Sequence, residues 1–182
     1  MVSFFSSLKT SLKRLLVFIP LFVGLLFNPL SVKALYPSDP SSVDVLKGNL
    51  HGADLPNSEF VKYDLSGQDL GEANLQGAYF SVTSAKNSSF KGANMKDVIA
   101  YATRFDNADL SNSDFSNGEL LKSNFDGALI DGADFTNANL DLPQRKSLCS
   151  RASGKNPKTG VDTFDSLECA GLKGYTPPTP KA

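Results

Sequence analysis

The residues with the clearest chemical potential are two cysteines near the C-terminus. Cys149 and Cys169 are the only cysteines in the 182-residue chain, and twenty residues separate them. Such a pair can form a disulfide, which acts either as a structural staple or as a redox-responsive bridge. Which of the two applies depends on the compartment in which the protein folds.

Other side chains with catalytic potential are few. His51 is the only histidine, and without a neighbouring cysteine it makes no plausible zinc site, so we expect a solvated side chain. Asp109 and Asp114 could mimic the carboxylate pair of a glycosidase, but aspartates recur at this spacing along the chain. Phosphate-binding glycine loops and EF-hand spacing are absent. We therefore predict no enzyme, with no catalytic, cofactor-binding or metal-binding residues.

The N-terminus resembles a targeting segment. Lys9, Lys13 and Arg14 precede an apolar run at residues 15–30, and Val32-Lys33-Ala34 resembles a small-residue cleavage site. This order is typical of a secretory signal peptide, predicted here over residues 1–34. An uncleaved membrane anchor is the alternative, although the run is short against the roughly twenty residues of a spanning helix.

The predicted export determines what we expect of the two cysteines. An exported chain folds in an oxidising compartment, so a disulfide between Cys149 and Cys169 is predicted. Closing a loop of this length stabilises a fold by about 3 kcal/mol in the chain-entropy description. A structural staple is the preferred interpretation, and a redox-responsive bridge stays open.

The middle of the chain has a period of five residues. Every fifth residue from Leu50 to Leu140 is apolar, which gives nineteen consecutive positions. Helices and strands repeat at about 3.6 and 2 residues, so neither produces this period. A small residue lies two positions before the apolar centre in sixteen units, and Gly or Asn lies two positions after it in twelve of eighteen. Since Gly and Asn tolerate positive φ, each unit is predicted to end in a turn.

These units resemble the A(D/N)LXX signature of the pentapeptide-repeat family over about half of the chain. The clearest examples are Ala53-Asp54-Leu55, Ala73-Asn74-Leu75, Ala108-Asp109-Leu110 and Ala138-Asn139-Leu140. The resemblance implies an all-β fold, a right-handed quadrilateral β-helix with four units per coil and nearly five coils. At the spacing of paired strands the column would be roughly 23 Å tall.

Residues twenty apart are expected to stack inside this column. One internal column would contain Leu55, Leu75, Met95, Phe115 and Phe135, and another Phe60, Phe80, Ala100, Leu120 and Leu140. Val98 is bulky where a small residue is usual, so we expect it to exchange volume with nearby Ala100. A pocket near Ala85 and Ala100 is the alternative, although protein interiors rarely keep voids.

The remaining segments are assigned around the repeat. We predict an N-terminal cap at residues 35–47, the repeat β-helix at 48–142, a helical C-terminal cap at 143–170 and a flexible tail at 171–182. Within the cap, a helix is expected over residues 144–152 and a second helical turn within 162–169, capped by Asp162 or Thr163. The disulfide is expected to hold this cap as a lid over the far end of the column.

The cap also resembles the C-terminal segment of pentapeptide proteins that are exported to the thylakoid lumen of cyanobacteria and chloroplasts. The matching residues are Leu148-Cys149, Ala152-Ser153-Gly154, Asn156-Pro157, Thr159-Gly160, Asp162-Thr163, Ser166-Leu167 and Cys169. The resemblance implies a lumenal protein. A single leader, with no Ser-rich transit peptide, favours a cyanobacterium-like bacterium and leaves lumen and periplasm open.

The charge limits the possible partners. After cleavage the chain would carry 14 Lys and Arg against 19 Asp and Glu, a net charge of −5. An acidic surface repels nucleic acid. Some family members mimic DNA and bind gyrase, but an exported protein would not meet that enzyme.

The predicted function is a non-enzymatic exported scaffold that binds an unknown protein partner in the thylakoid lumen or periplasm. We expect a monomer or weak homodimer with no stable membrane insertion after cleavage. A redox-regulated lumenal protein that acts through its disulfide is the first alternative, and a gyrase-binding DNA mimic is the second.

Overall fold

The structure is a computed structural model, and it describes residues 50–172. The predicted signal peptide, the predicted N-terminal cap and residues 173–182 lie outside this range.

From residue 50 to residue 140 the backbone winds into coils of twenty residues. Isolated parallel bridges join residues twenty apart, from Asp54 with Asn74 to Glu119 with Asn139. Each coil contains four turns, which separate four short sides, so four repeat units make one coil as predicted. Each side contributes one bridging residue, because the turn takes up much of every unit. The described residues therefore contain bridges but no extended strand, and the all-β prediction holds only in this limited form.

The turns follow the predicted register. All eighteen positions that lie two residues after a centre, from Gly52 to Asn137, have positive φ. The turn is closed by a backbone hydrogen bond such as that from Ala73 N–H to Leu70 O, at 3.2 Å. Twelve of these residues are Gly or Asn, for which positive φ is accessible. The six others are Lys62, Glu72, Val82, Asp97, Ala102 and Lys122.

The apolar centres fill the interior of the coils. Aromatic rings twenty residues apart are stacked, with centroids 4.8 Å apart for Phe60 and Phe80 and 5.4 Å apart for Phe115 and Phe135. The predicted columns are confirmed, and their buried members are Leu75, Met95, Phe115 and Phe135 in one and Phe60, Phe80, Ala100 and Leu120 in the other. Leu55 and Leu140, at the two ends, are half-buried.

The small residues before each centre are also inside. Several are Ser or Thr, and these buried hydroxyls donate to backbone carbonyls, as Ser88 does to Ala85 O and Ser113 to Leu110 O. A buried hydroxyl that keeps a hydrogen bond avoids most of its desolvation penalty. The column therefore accepts small polar residues without a gap in its core.

Val98 is accommodated along the column axis. Both Val98 and Ala100 are fully buried. A Cβ added to Gly118, one coil later, would lie 3.3 Å from Val98 Cγ1 and 3.0 Å from Phe115 O. The glycine therefore provides the space that the valine takes, a compensation that differs from the predicted exchange with Ala100.

The C-terminal segment begins with helix α1, Leu142–Cys149. The sequence predicted residues 144–152, so the helix begins and ends earlier than expected. Pro143 lies in the first turn, where a missing N–H costs no helical hydrogen bond, and Ser150 follows as the C-cap. Helix α2, Thr163–Ser166, begins after Asp162, whose side chain accepts from Phe164 N–H at 2.9 Å, as predicted.

A 3-10 helix, Cys169–Gly171, completes the cap. Leu172 is buried against the core. Gly171 and Leu172, the first two residues of the predicted tail, thus have a described structure, whereas the rest of that segment lies outside the described residues.

The segment between α1 and α2 leaves the end of the column and runs along its side. We call residues 153–158 the strap. Ser153 O accepts from Gly132 N–H at 2.8 Å. The Asn156 amide, which is buried, donates to Asn112 O at 3.2 Å and to Ser113 O at 3.0 Å.

The strap reaches further still through Lys158. Its Nζ donates to Gly92 O at 2.6 Å and pairs with Glu72 Oε2 at 2.8 Å. The contacted positions 72, 92, 112 and 132 are one corner of four successive coils. Part of this segment therefore lies along a corner of the column, where it donates to backbone carbonyls, a position that the lid prediction did not include.

Candidate functional site: an exposed apolar corner

The structure joins Cys149 and Cys169 by a disulfide with a Cα–Cα distance of 5.6 Å. Both residues are buried, and the bond connects the end of α1 to the 3-10 helix. Labile disulfides are typically strained or exposed, whereas both cysteines of this bond are buried.

Arg151 fastens the cap to the last coil. Its Nη2 donates to Phe125 O at 2.6 Å and its Nε donates to Ala128 O at 3.2 Å. In inner coils a carbonyl equivalent to Ala128 O accepts from the next coil, which is missing here. Burial lowers the pKa of Arg151. Arg151 therefore donates to backbone carbonyls at the open edge of the column. Ser166 Oγ accepts a hydrogen bond from Phe135 N–H at the same edge, at 3.0 Å.

His51 does not form a catalytic constellation. Its Nδ1 lies 3.3 Å from Asp69 Oδ2, and both side chains are about half exposed. A hydrogen bond from Gly71 N–H is the main reason that the pKa of Asp69 is lowered, with His51 adding to it. The pair is an exposed surface contact on the first coils.

The carboxylates of Asp109 and Asp114 serve the backbone. Asp109 Oδ1 accepts from Ser111 N–H at 3.0 Å, and Asp114 Oδ1 accepts from Ser116 N–H at 2.9 Å. Each carboxylate thus stabilises the turn that follows it. Within residues 50–172, His, Cys, Asp and Glu side chains form no group of three that could hold a metal ion.

A cavity of about 310 Å³ lies where the last coil meets the cap. Phe135 and Leu140 line its apolar side, and Arg145 and Glu168 line its polar side. The two charged groups pair at 3.0 Å, while Arg145 Nε is buried without a hydrogen-bond partner. The arrangement holds α1 near the 3-10 helix and brings together no acid–base pair for catalysis.

The exposed apolar residues are concentrated at one corner of the coils. In the described range, six large hydrophobic residues are exposed, namely Val61, Tyr79, Val82, Tyr101, Leu129 and Leu142. The first four lie at or beside the corner that contains positions 61, 81, 101 and 121. With Ile99 and Leu121, which are partly exposed, they form what we call the corner strip: Val61, Tyr79, Val82, Ile99, Tyr101 and Leu121.

The corner strip is continuous because its members are neighbours across the coils. Tyr79 bridges directly to Ile99. Val82 N–H donates to Tyr101 O at 2.9 Å, which places these two residues side by side. Lys122 Nζ lies 5.1 Å from the centroid of the Tyr101 ring. A contiguous apolar patch with charges at its border is typical of a protein interaction site.

The turns at this corner have an unusual composition. The positive-φ residues here are Lys62, Val82, Ala102 and Lys122, so this corner uses no Gly or Asn at these positions. A β-branched residue with positive φ is strained by about 1–3 kcal/mol. Val82 has φ +59° and is 56% exposed, so burial does not offset this strain.

Two further turn residues with positive φ, Glu72 and Asp97, are neither Gly nor Asn, and their side chains have local partners. Glu72 pairs with Lys158 of the strap. Asp97 accepts hydrogen bonds from Gln76 and from Asn117, and these bonds lower its pKa. Glu72 and Asp97 thus have side-chain contacts within the fold, whereas the Val82 side chain is exposed.

Sequence reasoning missed the corner strip because it treated the outward faces as polar. The necessary signal was present, since Val61, Tyr79, Val82, Ile99 and Tyr101 all occupy outward positions of neighbouring coils. Aligning the sequence with a period of twenty residues, the length of one coil, places these residues next to one another, whereas a period of five does not.

Comparisons with known proteins give one family. The family model for pentapeptide repeats matches eight copies over residues 64–99 and 102–141. A sequence comparison with curated proteins found no match. Within residues 50–172, no helix has the length and apolar character needed to cross a bilayer.

Several solved structures are similar. A pentapeptide repeat protein from the cyanobacterium Cyanothece 51142 is 26% identical over 49% of this chain and 61% of that chain, with a TM-score of 0.48. One from the Arabidopsis thaliana thylakoid lumen is 30% identical over 68% of this chain and 92% of that chain, with a TM-score of 0.28. A plasmid-mediated fluoroquinolone resistance protein is 20% identical over 50% of this chain and 67% of that chain, with a TM-score of 0.30.

Proposed function

This chain belongs to the pentapeptide-repeat family, and from that premise we propose that it is an exported, non-enzymatic scaffold that binds a protein through the corner strip. Members of this family are generally non-catalytic. One observation carries the proposal. The four positive-φ turn residues Lys62, Val82, Ala102 and Lys122 are neither Gly nor Asn, and they lie at the corner that holds four of the six exposed large hydrophobic residues of the described range.

The fold is proposed to be the right-handed quadrilateral β-helix of the family. Four turns per coil and bridges between residues twenty apart support the quadrilateral form. Backbone hydrogen bonds between coils, such as Phe60 N–H to Tyr79 O at 2.7 Å, hold the corner strip on a rigid support. A pre-organised surface loses little conformational entropy when it binds.

The proposed location is the thylakoid lumen or periplasm of a cyanobacterium-like bacterium. The leader at residues 1–34 and the cap signature around Cys149 and Cys169 support export. The buried disulfide adds support, because such bonds persist in oxidising compartments. Fractionation with N-terminal sequencing of the mature protein tests this proposal. Recovery of a full-length protein in the cytosol would contradict it and would favour the gyrase-binding alternative.

The interaction is tested by capture from lumen or periplasmic extract. Tyr79→Ser combined with Tyr101→Ser removes two aromatic side chains from the corner strip without changing charge. Leu129→Ser is the matched control, since Leu129 is exposed but lies outside the strip. We expect the double variant to lose a defined bound protein that the wild type and the control retain. Equal capture by all three proteins would contradict the proposed role of the strip.

Redox regulation through Cys149 and Cys169 remains the second candidate. The burial of both cysteines favours a permanent staple. The midpoint potential distinguishes the two roles, because a staple has a value well below that of the glutathione pool. A potential close to that of the glutathione pool, with altered partner capture after reduction, would favour regulation instead.

A further inference from the structure

We propose that the partner of the corner strip is a second copy of this chain, bound side by side and in parallel. This inference rests on the proposed role of the strip as a docking surface. It concerns which protein docks there, and the pattern of charge at the ends of the strip carries it.

The corner strip spans four successive coils, and each coil contributes one row with a side position (59, 79, 99 or 119) and a corner position (62, 82, 102 or 122), some of which border the strip. The first row contains Glu59 and Lys62, and the fourth row contains Glu119 and Lys122 at the equivalent positions. All four charged residues are exposed.

The two inner rows carry apolar residues where the outer rows carry charges. They contain Tyr79 and Val82 in one row and Ile99 and Ala102 in the other. The strip is therefore charged at both ends and apolar between them. In both charged rows, the glutamate occupies the side of the coil and the lysine occupies its corner.

This pattern is self-complementary in only one orientation. A two-fold axis parallel to the column places each row opposite the same row of the second copy and exchanges the side with the corner. Glu59 then faces Lys62 of the other copy, and Glu119 faces Lys122. A two-fold axis perpendicular to the column, lying in the interface, places Glu59 opposite Glu119 and Lys62 opposite Lys122.

Like charges placed opposite each other across an interface oppose association. The antiparallel arrangement is thus disfavoured and the parallel arrangement is favoured. The parallel arrangement also places Tyr79 of each copy near Val82 of the other, so apolar side chains meet in the centre. The same Glu and Lys pair at both ends therefore makes this surface complementary to itself in the parallel orientation.

The size of the strip sets the expected strength. Three coil spacings separate Glu59 from Glu119, about 14 Å at the spacing of paired strands. Such a surface is smaller than the roughly 800 Å² per partner of stable complexes. We therefore expect a weak dimer that dissociates on dilution.

Charge-swapped variants test the proposal in the full mature protein. The first variant carries Glu59→Lys and Glu119→Lys, and the second carries Lys62→Glu and Lys122→Glu. Each variant alone places like charges opposite each other across the interface. We therefore expect its self-association to be weaker than that of the wild type by about tenfold or more. An equimolar mixture of the two restores opposite charges and is expected to recover a heterodimer, measured by sedimentation velocity over a concentration series.

The control carries Lys91→Glu and Lys155→Glu, which change the net charge as the second variant does but lie at the opposite corner and on the strap. We expect this control to dimerise as the wild type does. Far-UV circular dichroism and thermal melting of every variant separate a lost interface from a lost fold.

Orientation is read independently from cysteine crosslinking. Val61→Cys in the first row is expected to crosslink with itself across a parallel interface. Preferential crosslinking of Val61→Cys with a Leu121→Cys variant would show an antiparallel interface and would overturn the proposal.

A wild type that stays monomeric at every concentration, or a mixture of variants that fails to associate, would also overturn it. A second outcome is a monomeric wild type that captures a different protein, which the Tyr79 and Tyr101 double variant no longer captures. In that case the strip remains a docking surface and only the identity of its partner is wrong. If self-association and capture are both unaffected by these replacements, the proposed function fails as well.

Discussion

Lys158 Nζ lies 2.8 Å from Glu72 Oε2, although the two residues are 86 positions apart in the chain. The same nitrogen donates to Gly92 O, at 2.6 Å. Lys158 thus ties the strap to two successive coils at one corner. Since Asn156 and Ser153 bind the next two coils, the C-terminal segment spans most of the described column.

Replacing Lys158 by Met is expected to loosen the strap with little effect on global stability. The ion pair is about half exposed on both sides, and exposed pairs contribute at most about 1 kcal/mol. Hydrogen exchange should become faster at the backbone amides of Asn156 and Gly160, which donate to Val161 O and Asn156 O. Glu72→Gln, which leaves the bond to Gly92 O intact, should give a smaller change. Unchanged exchange in the Met variant would show that Lys158 does not hold the strap.

Replacing Arg151 by Met is expected to destabilise the cap more strongly. The side chain is partly buried and donates to Phe125 O and Ala128 O. Its loss leaves Ala128 O without this donor, which costs about 1–3 kcal/mol for a buried group, while Phe125 O keeps its bond from Ala128 N–H at 3.0 Å. Chemical denaturation should show a lower unfolding free energy or an early separate transition of the cap.

Arg151→Lys is the informative control, because it keeps the positive charge but lacks the planar group that reaches two carbonyls at once. We expect an intermediate loss of stability. A Lys variant as stable as the wild type would show that the charge alone suffices at this position.

Much of the column could be predicted from the chain, for a physical reason. A solenoid repeats one local solution, so a single rule about centres and turns applies to every unit from Leu50 to Leu140. The positive φ at all eighteen turn positions and the burial of the centres follow from that rule. The number of units per coil is not contained in a period of five, and it came from the resemblance to a family.

The strap and the corner strip were not predicted, because neither follows from the repeat. The strap depends on single contacts such as those of Lys158 and Asn156, between residues with no shared pattern. The corner strip depends on which outward residues become neighbours, and that is known only when the coil length is known. The fit of Val98 to Gly118 was hidden for the same reason.

The fit between Val98 and Gly118 leads to a stability test. Gly118→Ala would place a methyl group 3.0 Å from Phe115 O and 3.3 Å from Val98 Cγ1, at a buried position. Overpacking of this kind costs about 1–3 kcal/mol, which thermal or urea unfolding will measure. Gly171→Ala is the control, since an added Cβ there meets no atom within 4 Å.

The double variant Val98→Ala with Gly118→Ala should recover part of the loss, because it removes the contact between the side chains but keeps the one with Phe115 O. Additive losses in the double variant would show that the two residues do not share space.

Replacing Val82 by Asn is expected to stabilise the fold and to weaken binding at the corner strip. Val82 has φ +59°, and Asn tolerates this conformation far better than a β-branched residue. Relief of the strain should raise the unfolding free energy by about 1–3 kcal/mol. The converse change, Asn87→Val at φ +55° on another corner, should lower it by a similar amount. Because Val82 is exposed, loss of its side chain removes apolar area from the proposed docking surface and not from the core. Sedimentation velocity and partner capture, measured alongside unfolding, should therefore move opposite to stability. A variant that is more stable and binds as well as the wild type would mean that the strain at Val82 serves no interaction.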